Sequence, residues 1–335
     1  MIGDPSGKSV ERNLLDEATL ATNLAGADGN GSIDVFVRDL AFGLTTCVSV
    51  DSGGVLGNLA SLRPSISSDG RFVAFDSTAT NLVPLDSNGT GDIFVRDRLA
   101  GTTTRVSVDS AGVQGNGNSS QPSISPDGRF VVFESDANNL VAGDTNGFRD
   151  IFVHNLDTGT TTRVSIHSDG VTQANATCTR STISADGLFI AWDSSASALV
   201  TGDANVNFDV FVHDRAAGIT TRVSLDSTGV EGNNFSFRPS ISEDGRFVAF
   251  EALANNLVAG DSNAQVDIFR HDRSTGETIR VSVDSLGNQA NFASQISAIS
   301  ADGSFVAFQT SATNLIGDDT EGFADIYLRG PMSTD

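Results

Sequence analysis

The stretch QPSISPDGRFVVFES at residues 121–135, followed by DIFVHN at 150–155 and TTTRVSI at 160–166, decides the fold of this chain. Pro126-Asp127-Gly128 lies between two apolar runs and predicts a tight hairpin. The run after it carries Phe and Val on both alternating faces, and so does the segment 151–153, a pattern that predicts strands sandwiched between neighbouring sheets. The last run alternates Thr, Arg and Ser with Val, as an outer strand with one wet side would, and a short turn at Gly159 leads into it. The unit reads as four strands, with no helical periodicity.

The unit recurs. Strings of the DGRFVAF type carry their Asp at 69, 127, 186, 244 and 302, and strings of the DIFVRD type open at Asp34, Asp92, Asp150, Asp209, Asp267 and Asp325, so the step is 58 or 59 residues throughout. Repetition of this length means a solenoid, a propeller or an array. Small residues in the first strand (PSIS at Pro64, Pro122 and Pro239) and bulky ones in the next two fit radial stacking, because only small side chains fit near an axis. A linear solenoid uses shorter repeats and needs capped ends. The expectation is an all-β propeller of four-stranded antiparallel blades, forming one domain over 1–335, with units near 6–58, 59–116, 117–175, 176–233, 234–291 and 292–335. Six blades are preferred, the first and last incomplete, with residues 6–24 as a degenerate half-blade. Five remain open if the strand near Thr45 to Val50 closes the ring and leaves Asp34 to Arg38 surplus.

PSISPDGRFVVFES with DIFVHN and TTRVSI resembles the repeats of TolB-type β-propellers, which share the Ser-Pro-Asp-Gly hairpin and the apolar strand after it. The likeness runs from about residue 21 to 329 and implies the fold. Propellers of this kind serve as interaction platforms, as domains of peptidases and as sugar-processing enzymes, so it implies no single activity. The unit here is longer than usual in that family, with the excess between the second and third strands. A bacterial protein of the cell exterior or periplasm is the expectation that goes with it.

Forty-two acidic against 20 basic residues give a net charge of -22, which disfavours nucleic acid and anionic membranes as partners. Of the acids, 34 are Asp and 8 are Glu, so the acidity belongs to turns and loops rather than helices. No apolar run is long enough for a membrane span, and membrane insertion is not expected. Cys47 and Cys178 fall at non-equivalent places and read as isolated thiols.

The long second loop holds the candidate metal ligands. Asp-x-Asn-x-x-x-Asp occurs at Asp28, Asn30 and Asp34; Asp86, Asn88 and Asp92; Asp144, Asn146 and Asp150; Asp203, Asn205 and Asp209; and Asp261, Asn263 and Asp267, while Asp319, Glu321 and Asp325 form a variant. Alternate oxygen ligands with a further carboxylate suit structural Ca2+, which takes six to eight oxygens. The same residues also make Asx-turns and accept backbone N–H groups at strand starts without any ion. His154, His213 and His271 share a position with Arg38, Arg96 and Arg329; equivalent third-strand sites lie on too wide a ring to meet on one zinc, so the position reads as solvated and cation-tolerant. Asp97, Asp214 and Asp272 are placed to pair with Arg105, Arg222 and Arg280 across the last hairpin.

No G-x-S-x-G, G-x-x-x-x-G-K or H-E-x-x-H is present, and no catalytic residue stands out from the repeats. The leading expectation is a non-enzymatic interaction or scaffold propeller with a protein or glycan partner. A lectin is the first alternative, although Trp192 and Tyr327 are the only residues of the kinds that favour sugar stacking. The second is a polysaccharide lyase or glycosidase centred on the divergent unit from Arg180 to Arg222, where Ala198 replaces Asn.

Overall fold

The computed structural model describes residues 14–19, 24, 29–317, 319 and 322–334, with backbone alone for 14–19. It contains six antiparallel sheets and, among the described residues, no helix, hence none long and apolar enough to cross a membrane. Blade 1 is β1 (Leu14–Thr19), β2 (Asp34–Asp39) and β3 (Leu44–Cys47). Blade 2 is β4 (Ser61–Ile66), β5 (Phe72–Ser77), β6 (Asp92–Asp97) and β7 (Thr102–Arg105). Blade 3 is β8 (Ser119–Ile124), β9 (Phe130–Ser135), β10 (Asp150–Asn155) and β11 (Thr161–Arg163). Blade 4 is β12 (Cys178–Ile183), β13 (Phe189–Ser194), β14 (Asp209–Asp214) and β15 (Ile219–Arg222). Blade 5 is β16 (Ser236–Ile241), β17 (Phe247–Ala252), β18 (Asp267–Asp272) and β19 (Thr278–Arg280). Blade 6 is β20 (Ser294–Ile299), β21 (Val306–Thr310) and β22 (Asp325–Arg329). Each sheet is a simple meander. The six sheets are consistent with the preferred six blades: β2, which the five-blade alternative would leave surplus, pairs with β1 on one side and β3 on the other.

The middle strands of blades 2 to 5 are buried on both faces, as their unbroken apolar runs require. Val73, Ala74 and Phe75 of β5, and Ile93, Phe94 and Val95 of β6, are all shut away, with the Phe75 and Phe94 rings stacked 5.9 Å apart. One face packs on the blade before and the other on the blade after, so Val35, Val37 and Phe94 share one cluster while Ile93, Val95 and Phe133 share the next. Outer strands are tied across blades too: Thr103 Oγ1 donates to Val50 O, and Thr161 Oγ1 to Val108 O. At the inner hairpins Gly187 sits at φ +70° against the ring of Phe130, where a Cβ would come within 2.2 Å. That glycine serves both the turn and the contact with the preceding blade.

Each inner strand also carries one bulge. Pairing shifts register between residues 62 and 65, 120 and 123, 179 and 182, 237 and 240, and 295 and 298. The bulge residues Arg63, Gln121, Arg180, Arg238 and Ile296 all lie at φ between 49° and 56°, and all are exposed. They ring the end of the axis at which the inner strands begin.

Candidate functional site

In the long loops, the Asn of each motif is a turn anchor. Asn88 Oδ1 accepts the Thr90 N–H at 3.0 Å, while its Nδ2 donates to Asp92 Oδ2 and to Gly115 O. Asn30, Asn146, Asn205 and Asn263 repeat the arrangement. The last Asp starts the third strand, fully buried in blades 1 to 5, and accepts a serine hydroxyl from the outer-strand side, as in Ser107 Oγ to Asp92 Oδ1 at 2.6 Å. Burial pushes the carboxyls of Asp92, Asp150 and Asp267 up, and that of Asp209 up to about 6.

A guanidinium occupies the space between the carboxylates in blades 2 to 5. Arg105 lies 3.3 Å from Asp86 and 3.6 Å from Asp92, Arg163 lies 3.0 and 3.4 Å from Asp144 and Asp150, Arg222 lies 3.3 Å from both Asp203 and Asp209, and Arg280 lies 3.6 and 3.5 Å from Asp261 and Asp267. The expected pairing of these arginines with Asp97, Asp214 and Asp272 is therefore wrong. Outer-strand register sends their side chains to the loop end of the hairpin, while Asp97 and Asp272 pair with Arg71 and Arg246 at 2.7 Å, and Asp214 Oδ1 caps the turn at Ala216 and Ala217. In blade 4 a third carboxylate joins: Glu231 replaces the glutamine found at Gln114, Gln173 and Gln289, so Asp203, Asp209 and Glu231 place three ligand oxygens within 4.8 Å, with Arg222 among them. Asp28 and Glu321 lie outside the described residues. Asp325 is exposed, and Asp319 accepts the Tyr327 hydroxyl at 2.6 Å.

His154, His213 and His271 are buried, not solvated. Each Nδ1 sits 2.8 to 2.9 Å from an outer-strand threonine Oγ1 (Thr161, Thr220 or Thr278). The threonine hydrogen already goes to a carbonyl of the previous blade, so Nδ1 carries the proton and donates. Arg96 does the same in blade 2, its Nη1 donating to Thr103 Oγ1. Burial holds all three imidazoles down at about 4.

The place where the repeats differ is the axial mouth. Second-strand carboxylates Asp76, Glu134, Asp193 and Glu251 are buried there, and burial raises each, Asp76 to about 6. Glu134 accepts the backbone N–H of Arg180, Asp193 that of Arg238, and Glu251 that of Ile296, so the bulges of blades 4 to 6 are pinned by the blade before them. In return Arg63 Nη1 reaches Asp76 at 2.8 Å, Arg180 reaches Asp193 at 3.1 Å and Arg238 reaches Glu251 at 3.2 Å. These side chains stay 42 to 46% exposed, and among the described residues their Nε and Nη2 groups have no partner. Beside them, Arg180, Phe208, Phe235 and Phe237 line a pocket of about 290 Å³, with the rings of Phe208 and Phe235 6.4 Å apart. Sequence reading assigned phenylalanine to the core and missed this group. The signal was available: Phe235 and Phe237 stand where other units have Ala60 and Leu62, Asn118 and Ser120, Thr177 and Thr179, or Ala293 and Gln295. Trp192, by contrast, is fully buried and stacks on Phe211, so it is no exposed sugar platform.

These sheets define a β-propeller, and the comparisons agree. TolB from Acinetobacter baumannii aligns over 95% of this chain and 63% of its own, at 17% identity and TM-score 0.50. The β-propeller domain of the Trilobed protease from Pyrococcus furiosus aligns over 82% of this chain and 69% of its own, at 12% identity and TM-score 0.50. An acylaminoacyl peptidase in complex with Z-Gly-Gly-Phe-chloromethyl ketone aligns over 96% of this chain and 44% of its own, at 12% identity and TM-score 0.52. The chain is thus TolB-like in fold, and it spans less than two thirds of that TolB. No protein-family model matches. Among curated proteins, tyrosine–tRNA ligases of Flavobacterium psychrophilum and Flavobacterium johnsoniae match at 85% and 81% identity over 26 residues, 8% of this chain and 6% of theirs, too short a stretch to bear on the fold.

Proposed function

We propose that this chain is a non-enzymatic interaction propeller that grips an extended peptide segment at the axial mouth, with an apolar side chain seated among Phe208, Phe235 and Phe237. The free Nε and Nη2 edges of Arg180 and Arg238 would take carbonyl or carboxylate oxygens of that segment. The supporting observation is the bulge. A residue at positive φ is best left as glycine, yet all five bulges keep a side chain at the mouth, against a backbone cost of about 1 kcal/mol each. Anisotropy titration of fluorescent peptides with an acidic residue next to Phe or Leu tests this. Binding should weaken about tenfold in Arg180→Gln and in Phe235→Ser. Equal affinity for parent and both variants would refute it.

In this reading the acidic loops of blades 2 to 5 serve the fold, held by arginine rather than by calcium. A second reading, a lyase or glycosidase, has one observation in its favour. Asp76 has a buried Oδ1 without a hydrogen-bond partner, and its carboxyl is pushed up to about 6 beside Arg63, as a general base would be. Turnover of an acidic glycan that disappears in Asp76→Asn would favour that reading over the first.

A further inference from the structure

We infer that the mouth takes up a proton as it binds an acidic ligand and that Asp193 is the group that holds it, so mild acid promotes capture. This rests on the peptide-gripping reading above and adds its regulation. Asp193 is wholly buried, and three groups meet on it. Its Oδ2 accepts the N–H of Arg238 in the next blade at 2.8 Å and lies 3.1 Å from Arg180 Nη1, while its Oδ1 accepts the Thr179 hydroxyl at 2.5 Å. Arg180 thus serves two sides, with Nη1 on Asp193 and its free edge at the pocket of Phe208, Phe235 and Phe237.

A ligand carboxylate on that edge brings a second negative charge to the guanidinium that offsets the buried one. Little else can compensate. Val210 pairs with Asp193 from β14, the guanidinium of Arg238 turns to Glu251, and Glu134 of the preceding blade adds a further negative charge within range. Among the described residues Arg180 is the one cation whose side chain reaches this carboxylate. Burial already holds the carboxyl above its ordinary range, with Thr179, the Arg238 N–H and Arg180 pulling it down. An added like charge favours the neutral form further.

The neutral form needs an acceptor for its proton, and Thr179 supplies one, because a hydroxyl both donates and accepts. With Asp193 charged, Thr179 donates to Oδ1. With the proton on Oδ1, the hydroxyl rotates and accepts it, while Oδ2 goes on accepting from the Arg238 N–H and from Arg180. The bulge stays pinned in both states, so the change is one of charge and not of shape. Leu62, Phe237 and Gln295, which stand at the same place in blades 2, 5 and 6, carry no hydroxyl. The proton holder therefore lies beside the one guanidinium that lines the phenylalanine pocket. By linkage, whatever the ligand does to the proton affinity of Asp193, the proton does to the affinity for the ligand.

The probes are a capped peptide with Asp next to Phe and the same peptide with Asn in place of Asp, titrated calorimetrically into the whole chain at pH 6 and pH 7.5 in buffers of different ionisation enthalpy. The Asp peptide should bind with net proton uptake and about three- to tenfold more tightly at pH 6, and the Asn peptide with neither effect. In Asp193→Asn the Asp peptide should bind without proton uptake and with a flat pH profile; the new amide can donate to Thr179 and still accept the Arg238 N–H, and circular dichroism checks that the variant is folded. If it is not, the infrared difference spectrum of the parent decides, since a protonated-carboxyl band should grow with the Asp peptide and not with the Asn peptide. Binding with no proton uptake and equal affinity at both pH values overturns the inference and leaves the reading of the mouth standing. Uptake that persists in Asp193→Asn overturns the assignment to Asp193, and binding of neither peptide at either pH overturns the inference and the reading together.

Discussion

Replacing the three buried imidazoles by arginine should remove a large acid-sensitive contribution to the stability of this fold. His154, His213 and His271 are held at about 4, against an ordinary 6.5. A group depressed on folding contributes stability that is complete above its unfolded pKa and lost as the pH falls toward its folded one, because the unfolded chain takes up the proton first. At pH 5 the unfolded imidazole is about 1.5 pH units into its titration, which costs the native state about 2 kcal/mol per ring and about 6 kcal/mol for three. Asp76 and Asp209, raised to about 6, act in the opposite sense: their contribution is complete at low pH and lost as the pH rises through 6. Between pH 7 and pH 5 they return about 1.4 kcal/mol each, leaving a net loss of about 3 kcal/mol from the five groups. That is a large part of the 5 to about 15 kcal/mol by which domains are stable.

Arginine is the informative replacement, since Arg96 already fills this position in blade 2, donating to Thr103 Oγ1 and to Asp51 O. Urea unfolding of the parent and of the triple His154→Arg, His213→Arg, His271→Arg variant at pH 7 and pH 5 should show the variant losing less stability, or gaining more, than the parent, since the raised carboxyls are common to both. The two differences should be separated by on the order of 6 kcal/mol. If the triple variant does not fold, His213→Arg alone should show about a third of the effect. Equal losses in parent and variant would mean that the rings are not the titrating groups.

Gly187→Ala should cost about 2 to 4 kcal/mol in urea unfolding, because strain at positive φ adds to the clash with Phe130. Gly229→Ala, at φ +86° in open space, should cost only about 1 kcal/mol, and equal losses would deny the clash. A chelator should leave the parent's melting temperature unchanged; a fall of several degrees would show that calcium holds the loops. Arg280→Ala should destabilise by about 3 to 5 kcal/mol, by leaving Asp261 and Asp267 facing each other unpaired, and added calcium should then raise its melting temperature. Failure of calcium to raise it would count against any latent cation site in these loops.

The repeat made the architecture readable, because the burial of each strand depends on a neighbour with nearly the same sequence. Phe and Val on both faces of segments such as 72–75 and 92–95 can be satisfied only between two sheets, and that is where they lie. Partners set by three-dimensional register were not readable. Arg105 is close in sequence to Asp97 and far from Asp86, yet the direction of its side chain decides for Asp86. The histidines misled for the same reason: a position that holds arginine elsewhere looks wet, but the arginine there reaches over a buried threonine to a carbonyl. The mouth left only a faint trace, since two phenylalanines in place of small residues have no meaning until the bulges show which way the strand end faces.

Pinning the inner-strand bulges of blades 4 to 6 by a carboxylate of the preceding blade separates scaffold from display. The bond is made by a main-chain N–H, so whichever residue stands at 180, 238 or 296 is held in the same posture, and 63 and 121 share that backbone conformation. Side chains there can be exchanged like type in a fixed frame, arginine for glutamine or isoleucine, with the sheets below left undisturbed. A protein built this way can change what it recognises by a handful of substitutions, and several such positions offer more combinations than one engineered pocket would.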